Sequence, residues 1–402
     1  MNRRNFLKNS VASTLASLIP FNLALSNNDK ANISDKILVV LELSGGNDGL
    51  NTIVPYGDDL YYKHRPNLGI KKEDLLIIDD HFGFNPGIVG LERLFKDGQM
   101  AIFHGCGYEN PSFSHFTSMN YMHTAAPNSG EEYGWLGRLA DNMAPNTYKN
   151  LLINVDKSQS LAVRSENHVP IVFDDPNRFQ RQGFDTQKQL LSNIGVSEGQ
   201  KAVNKTHDFL LQLSAGANDS SSLISTAWND YKRQVDYGIA PTDLDKIAAL
   251  IEHDMPSRLY YTSFRDNAFD THVHQANLHR RLLSYASDAI RGFMEDIDRI
   301  GKAEEVILLV MTEFGRRVPE NTSLGTDHGA AGPMFIIGHN VKGGHYGTIP
   351  DLKNGLDDGD NLKFTTDFRN VYATAIEGWL GINSKNILKK QFDTFDIFGG
   401  TV

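Results

Sequence analysis

The sequence predicts an α/β fold, a three-layer sandwich with a mostly parallel central sheet. Three observations point there. Apolar runs of strand length recur along the chain, among them "ILVVLEL" at 37–43, "MAIFHGC" at 100–106 and "VILLVM" at 306–311. These runs are apolar almost throughout, as strands covered on both faces must be. Between them lie segments whose apolar residues recur at three- and four-residue steps, the period of a helix with one buried stripe.

In chain order, the first run ends at Gly45-Gly46, the mark of a buried strand feeding a turn. A helix is predicted from about Pro86 to Lys96, with Ile88, Leu91, Leu94 and Phe95 on one face. "MAIFHGC" is a second buried strand; "LLINV" and "VPIVFDD" are further strands, the latter at a sheet edge. From Ser197 to about His253 the pattern is helical and polar, with breaks near Gly216 and Gly238. That predicts a helical insertion or lid over roughly 197–254. A long amphipathic helix follows, built on Leu278, Leu282, Tyr285, Ala286, Ala289, Ile290, Phe293 and Ile297. "EEVILLVMTEFG" is a buried strand with Glu313 and Arg316 just beyond its end, and "PMFIIGHNV" is another. The last helix, about Asp367 to Leu380, buries Phe368, Val371, Tyr372, Ala375, Ile376 and Trp379 behind a Thr366 or Asp367 N-cap.

Before this body comes "MNRRNFLKNSVASTLASLIPFNLALS". Arg3-Arg4 followed by Phe6, Leu7 and Lys8 is a twin-arginine pattern, and Ala24 and Ser26 suit cleavage after Ser26. Residues 1–26 are therefore read as a twin-arginine signal peptide, and 27–402 as one domain in the periplasm or outside the cell. The apolar run is too short and too interrupted to span a membrane, and the mature chain offers no transmembrane segment. The formal net charge is −10, and removing residues 1–26 takes away Arg3, Arg4 and Lys8 but no acid. An acidic body argues against nucleic acid and against anionic lipid as partners. Cys106 is the only cysteine, which excludes both an intrachain disulfide and a cysteine-rich zinc site.

In such folds ligands gather at the carboxyl ends of the strands, so the loops that follow strands decide which polar residues matter. Four carry metal-type side chains. "SGGNDG" holds Asp48; "HGCGYENPSFSHF" holds His104, Ser112, Ser114 and His115; "FDTHVHQANLH" holds Asp270, His272, His274 and His279; "TEFGRRVPENTSLGTDHG" holds Glu313, Arg316, Asp327 and His328. Carboxylates and imidazoles suit zinc, manganese, magnesium or calcium. Each loop also has a plainer reading. Asp48 in Asn-Asp-Gly makes a turn equally well, Asp270 would cap a helix, Asp327-His328 would sit in a solvated glycine loop, and Glu313 with Arg316 would close a strand as a salt bridge. Ser114 would serve as an ordinary N-cap as readily as a nucleophile.

"SGGNDGLNTIVPYGDDLYYKHRPNLGI", "SHF", "FDTHVHQ", "TEFGRRVPEN…GTDHG", "VKGGHYG" and "TDFRNVYATAIEGWLG" resemble, in order and over about residues 36 to 399, the bacterial domain-of-unknown-function family numbered 1501. The resemblance implies a fold related to the alkaline phosphatase and sulfatase superfamily, in which aspartates and histidines hold two metal ions. It implies that Asp327-His328 is the Asp-His metal pair, that Asp270 serves the second metal with His272 or His274, and that Ser114 is nearest to the nucleophile. His345 would suit that superfamily's last histidine. The superfamily usually sets an aspartate where the first strand ends; here Ser44-Gly45-Gly46 stands there and Asp48 comes later.

The reading that follows is an exported metal-dependent hydrolase of phosphate or sulfate esters, acting on a small molecule, a glycan or a lipid with one or two divalent ions. Asp48, Asp270, His272, His274, Asp327 and His328 are the expected ligands. Ser114, His115, His104 and Arg316 are the expected catalytic groups, Arg316 for an anionic ester. Two rivals stand beside it. One is a non-catalytic protein of the same fold that binds or assembles with an envelope partner; the other is a transferase acting on phospho-headgroups or glycans.

Overall fold

The computed structural model describes residues 34–144, 150–179 and 220–399. The expected signal peptide, and the expected insertion from 197 to 219, lie outside those residues. Among the described residues the strands run β1 (Ile37–Leu43), β2 (Ile53–Val54), β3 (Leu76–Ile77), β4 (Gly83–Phe84), β5 (Met100–Gly107) and β6 (Leu152–Val155). They continue with β7 (Ile171–Phe173), β8 (Leu259–Phe264), β9 (Val306–Met311), β10 (Gly332–Ile337), β11 (Gly344–Tyr346) and β12 (Thr366–Asp367). The helices used below are α1 (Asp59–His64), α2 (Val89–Lys96), α3 (His115–Thr124), α4 (Trp135–Met143), α5 (Leu244–Glu252), α6 (Gln275–Arg299) and α7 (Phe368–Ala373).

The main sheet has the order β11-β5-β10-β9-β1-β8-β6-β7, with β12 also on β5, and β2, β4 and β3 form a small separate sheet. β1 pairs in parallel with β8 (Leu38 opposite Leu259) and with β9 (Ile37 opposite Val306). β10 runs antiparallel to both β5 and β9. The sheet is thus mostly parallel, and β7, the expected edge strand, ends the order.

Both faces of β1 are covered. Ile37, Val39, Leu41 and Leu43 share one core with Leu283, Ala286, Ile290 and Phe293 of α6 and with Leu91 of α2. Strand side chains alternate, so Glu42 points to the opposite face, where it meets His123 of α3. On that side Trp135 of α4 stacks on Tyr372 of α7 at 4.3 Å. Two helical layers enclosing the sheet give the expected sandwich. Burying a large apolar side chain contributes about 1.5–3 kcal/mol, and truncating Phe293 to Ala should cost about 3–5 kcal/mol.

In its described part the expected insertion or lid packs on the main core. Ile247, Ala248, Leu250 and Ile251 of α5 belong to the same core as α6. Tyr231 and Tyr237 both donate to the buried Asp296 of α6, Tyr237 at 2.8 Å. Among the described residues no helix is long and apolar enough to cross a membrane.

The topology brings the carboxyl ends of β1, β5, β8 and β9 to one edge of the sheet. β10 runs backwards, so the loop entering it, with Asp327 and His328, arrives at that same edge.

Candidate metal centre

The site is assembled on the turn after β1. Gly45 and Gly46 have φ of +117° and +74°, a backbone that L side chains avoid. A Cβ on Gly45 would also stand 2.5 Å from the Asp270 backbone nitrogen. The turn aims both N–H groups at Glu313, just beyond β9. Gly45 donates to its two carboxylate oxygens at 2.9 and 3.0 Å, and Gly46 donates at 3.0 Å. Glu313 is buried with its lone pairs directed, and it holds His115, whose Nδ1 lies 2.8 Å from Oε1.

Three histidines repeat one pattern. His115 has Nδ1 against Glu313, and His328 has Nδ1 donating to the Phe113 carbonyl at 2.7 Å. His272 has Nδ1 3.3 Å from Asp327 Oδ1, which also accepts from Asn321 Nδ2 at 3.0 Å. An acceptor behind Nδ1 holds the proton there and leaves the Nε2 lone pair facing forward. All three Nε2 atoms face Asp270. His272 and His328 stand 3.0 and 3.1 Å from Oδ1, and His115 stands 3.3 Å from Oδ2. The Nε2 atoms of His272 and His328 are 2.9 Å apart.

Such an arrangement crowds acceptors against acceptors, which a cation would relieve. His115 Nε2 is buried without a hydrogen-bond partner. The donor atoms of His115, Asp270 and His328 lie within 4.8 Å of one another. Small shifts would close that spread onto one ion with ligands at about 2.0–2.2 Å. The residues therefore fit a divalent ion, with Asp270 and the three Nε2 atoms as donors and Glu313, Asp327 and the Phe113 carbonyl as the groups that orient them.

The charges agree. Burial works to raise the Asp270 pKa, but the hydrogen bond from the Arg316 guanidinium leads the groups that outweigh it, and the carboxyl is held down at about 2. Burial pushes His328 below the usual imidazole range, which keeps it neutral and able to ligate. His115 is raised, first by its hydrogen bond to Glu313.

The other expected residues are placed elsewhere or in other roles. Asp48 is buried and taken: Arg65 Nη1 donates to it at 2.7 Å, and Gln275 Nε2 donates to the same oxygen. Despite desolvation, Arg65 and His279 keep its pKa low. Asp48 joins an internal ion pair and not the histidine cluster. Asp327 stands behind His272 as its orienting carboxylate, so the expected Asp327-His328 pair is split between two roles. His274 caps α6 with its ring exposed, outside all of the cluster's contacts.

Arg316 is closed to an anionic ester. Nε donates to the Gly46 carbonyl at 2.6 Å, Nη1 to Thr326 at 2.9 Å, and Nη2 to the Gly45 and Phe269 carbonyls and to Asp270. It braces the turn and the carboxylate. His104 sits within β5 against His345, 2.7 Å away, apart from the cluster. Ser114 is exposed and precedes α3, but its hydroxyl caps nothing and has no partner. Of the expected catalytic group, His115 and Arg316 touch Asp270, and Ser114 and His104 do not.

Sequence reading left Glu313 and Asn321 out of the site. Glu313 carried a signal, a carboxylate directly after a buried strand facing a Gly-Gly turn. Asn321 carried none.

The profile of the family described as "Protein of unknown function (DUF1501)" matches residues 98–391. No curated protein matches the sequence. Among solved structures, this chain is similar to a protein in the alkaline phosphatase superfamily from Vibrio parahaemolyticus, at 11% identity over 97% of this chain and 78% of that one, with a TM-score of 0.42. It is similar to the C-terminal periplasmic domain of EcEptC from Escherichia coli in complex with Zn, at 10% identity over 87% and 85%, TM-score 0.42. It is also similar to the lipoteichoic acid synthase LtaP from Listeria monocytogenes, at 11% identity over 85% and 78%, TM-score 0.36.

Proposed function

We propose that this chain, which belongs to the DUF1501 family, is a metal-dependent hydrolase of phosphate or sulfate esters, exported by the twin-arginine route. The observation that carries the reading is the set of three imidazole Nε2 atoms turned on one carboxylate, each ring backed by its own acceptor. Backed imidazoles around an aspartate are ligand chemistry, and that pattern is hard to account for as a surface salt bridge. A divalent ion held there by Asp270, His115 and His328 would supply a Lewis acid that activates water.

The chain's own residues do the rest. Asp270 and His328 define the binding point, and Arg316 fixes Asp270 against the Gly45-Gly46 turn. Glu313 keeps His115 in one tautomer, so that the ring presents Nε2 to the ion. Ser114 adjoins His115 in the chain and offers an exposed hydroxyl without a base, which favours metal-activated water over a serine nucleophile. The substrate class is a small, glycan or lipid ester.

One observation favours the rival reading of a non-catalytic binding or assembly protein. With Arg316 tied to backbone carbonyls, the cation expected to hold an anionic ester is absent from that role. A single experiment separates the two. The full-length protein purified from the periplasm is assayed for metal content and for turnover of phosphate and sulfate ester panels, before and after chelation. The hydrolase reading expects bound divalent metal, chelator-sensitive turnover, and loss of both in Asp270→Ala and His328→Ala. Metal-free protein, or turnover that survives chelation, would overturn it.

A further inference from the structure

Apart from the Asp270 cluster, the chain gathers three more histidines and an aspartate around Phe82. His104 and His345 face each other with Nε2 and Nδ1 2.7 Å apart. β11 pairs in parallel with β5, setting His345 opposite Ile102, and the two rings stack at 5.0 Å. Phe82 stacks on both, at 5.1 and 5.2 Å, and His81 packs edge-on against Phe82 at 4.6 Å. Behind His345, Asp79 Oδ2 lies 3.2 Å from Nε2, the separation of an ion pair without full hydrogen-bond alignment. The other oxygen of Asp79 is fixed by the backbone N–H groups of His81 and Phe82 at 2.7 and 2.6 Å.

That anchoring has a chemical consequence. A carboxylate beside Nε2 of His345 keeps the proton there and leaves a bare lone pair on Nδ1, aimed at His104. His104 is buried, with its Nε2 turned toward the same point. Two neutral imidazoles directed at one point, one backed by a carboxylate, form half of a site for an imidazole-preferring ion. A cavity of about 50 Å³, lined by Asp58, His81, Phe82 and His104, adjoins His104 and gives an ion a way in.

We propose that His104 Nε2 and His345 Nδ1 are ligands of a second divalent-metal site, of the zinc, copper or nickel class, with Asp79 positioning His345. His81 lines the same cavity and packs on Phe82 beside them. The site stands whether or not the Asp270 cluster hydrolyses esters.

Zinc is counted on the full-length protein after equilibrium dialysis, and copper(II) binding is followed by electron paramagnetic resonance for nitrogen hyperfine structure. His345→Ala and His104→Gln should each remove one zinc equivalent and the two-nitrogen copper signal, while Asp270→Ala retains both. Asp79→Asn, a change at a partly exposed position, should weaken that equivalent about 10–100-fold. Unchanged zinc count and copper spectrum in His345→Ala and Asp79→Asn would overturn the proposal, leaving the histidines as a hydrogen-bonded pair.

Discussion

Asp48 and Asp270 stand beyond the ends of neighbouring parallel strands, β1 and β8, and differ in what already occupies their oxygens. The Asp48 side chain is 1% exposed and held by a fully buried Arg65 and by Gln275. Asp270 is 31% exposed and faces three imidazole nitrogens whose protons are directed elsewhere. Each carboxylate has a buried arginine, Arg65 on Asp48 and Arg316 on Asp270; Asp48 is closed off inside the protein by its donors, whereas Asp270 remains part-exposed and still faces three imidazole nitrogens. Residue type alone does not make a ligand; the deciding property is what surrounds the lone pairs that the arginine leaves over.

The comparison breaks most visibly at Asp48. Asp48→Ala leaves Arg65 buried with an unpaired charge, so denaturant unfolding should show a loss of about 3–5 kcal/mol. The folded fraction should keep its metal count. If Asp48→Ala instead loses metal at unchanged stability, the two aspartates have been assigned the wrong way round.

Next in size is a pH effect in the same buried network. Burial pushes His279 down to about 4, against partial opposition from Asp48, while Arg65 and Arg316 push the same way as burial. Between about pH 6.5 and pH 4 the unfolded chain takes up a proton that the folded chain refuses. Stability present above pH 6.5 is therefore lost as pH falls toward 4, by on the order of 3 kcal/mol. His279→Gln should flatten that slope in chemical unfolding at stepped pH; an unaltered slope would place the titration in another group.

A smaller effect is expected behind the cluster. Asp327→Asn leaves the donors to Asp270 in place but weakens the orientation of His272, and metal affinity should fall about 10–100-fold. Competition with a chromogenic chelator measures it. A complete loss of metal would make Asp327 a ligand. Smallest of all, Ser114→Ala should change stability by no more than about 0.5 kcal/mol, because the hydroxyl caps nothing. Hydrolysis surviving in that variant selects activated water as the nucleophile, and its loss selects serine.

Much of the fold was legible because it rests on period and run length. The apolar run at 306–311 and the stripe from Leu278 to Ile297 could only pack as a covered strand and an amphipathic helix. In the described part of the expected insertion or lid, the narrow buried face of Ile247, Ala248, Leu250 and Ile251 was hidden by the polar residues between them. Asp270, His272 and His328 were legible as metal-type residues after strands. The partner of Asp48 was not, since nothing in the sequence shows that Arg65, 17 positions on, folds back onto it. Nor was the contact of His104 with His345, 241 positions away. Glu313 was visible but read as a strand-closing salt bridge, because nothing in the sequence shows that Gly45 and Gly46 turn their N–H groups onto it.

The most direct measurement is the zinc content of purified wild-type, Asp48→Asn and Asp270→Ala proteins, counted side by side on folded material. Wild-type and Asp48→Asn should carry the same zinc, and Asp270→Ala should lack one equivalent. Equal zinc in wild-type and Asp270→Ala would contradict the assignment of Asp270 and its three histidines as a metal centre.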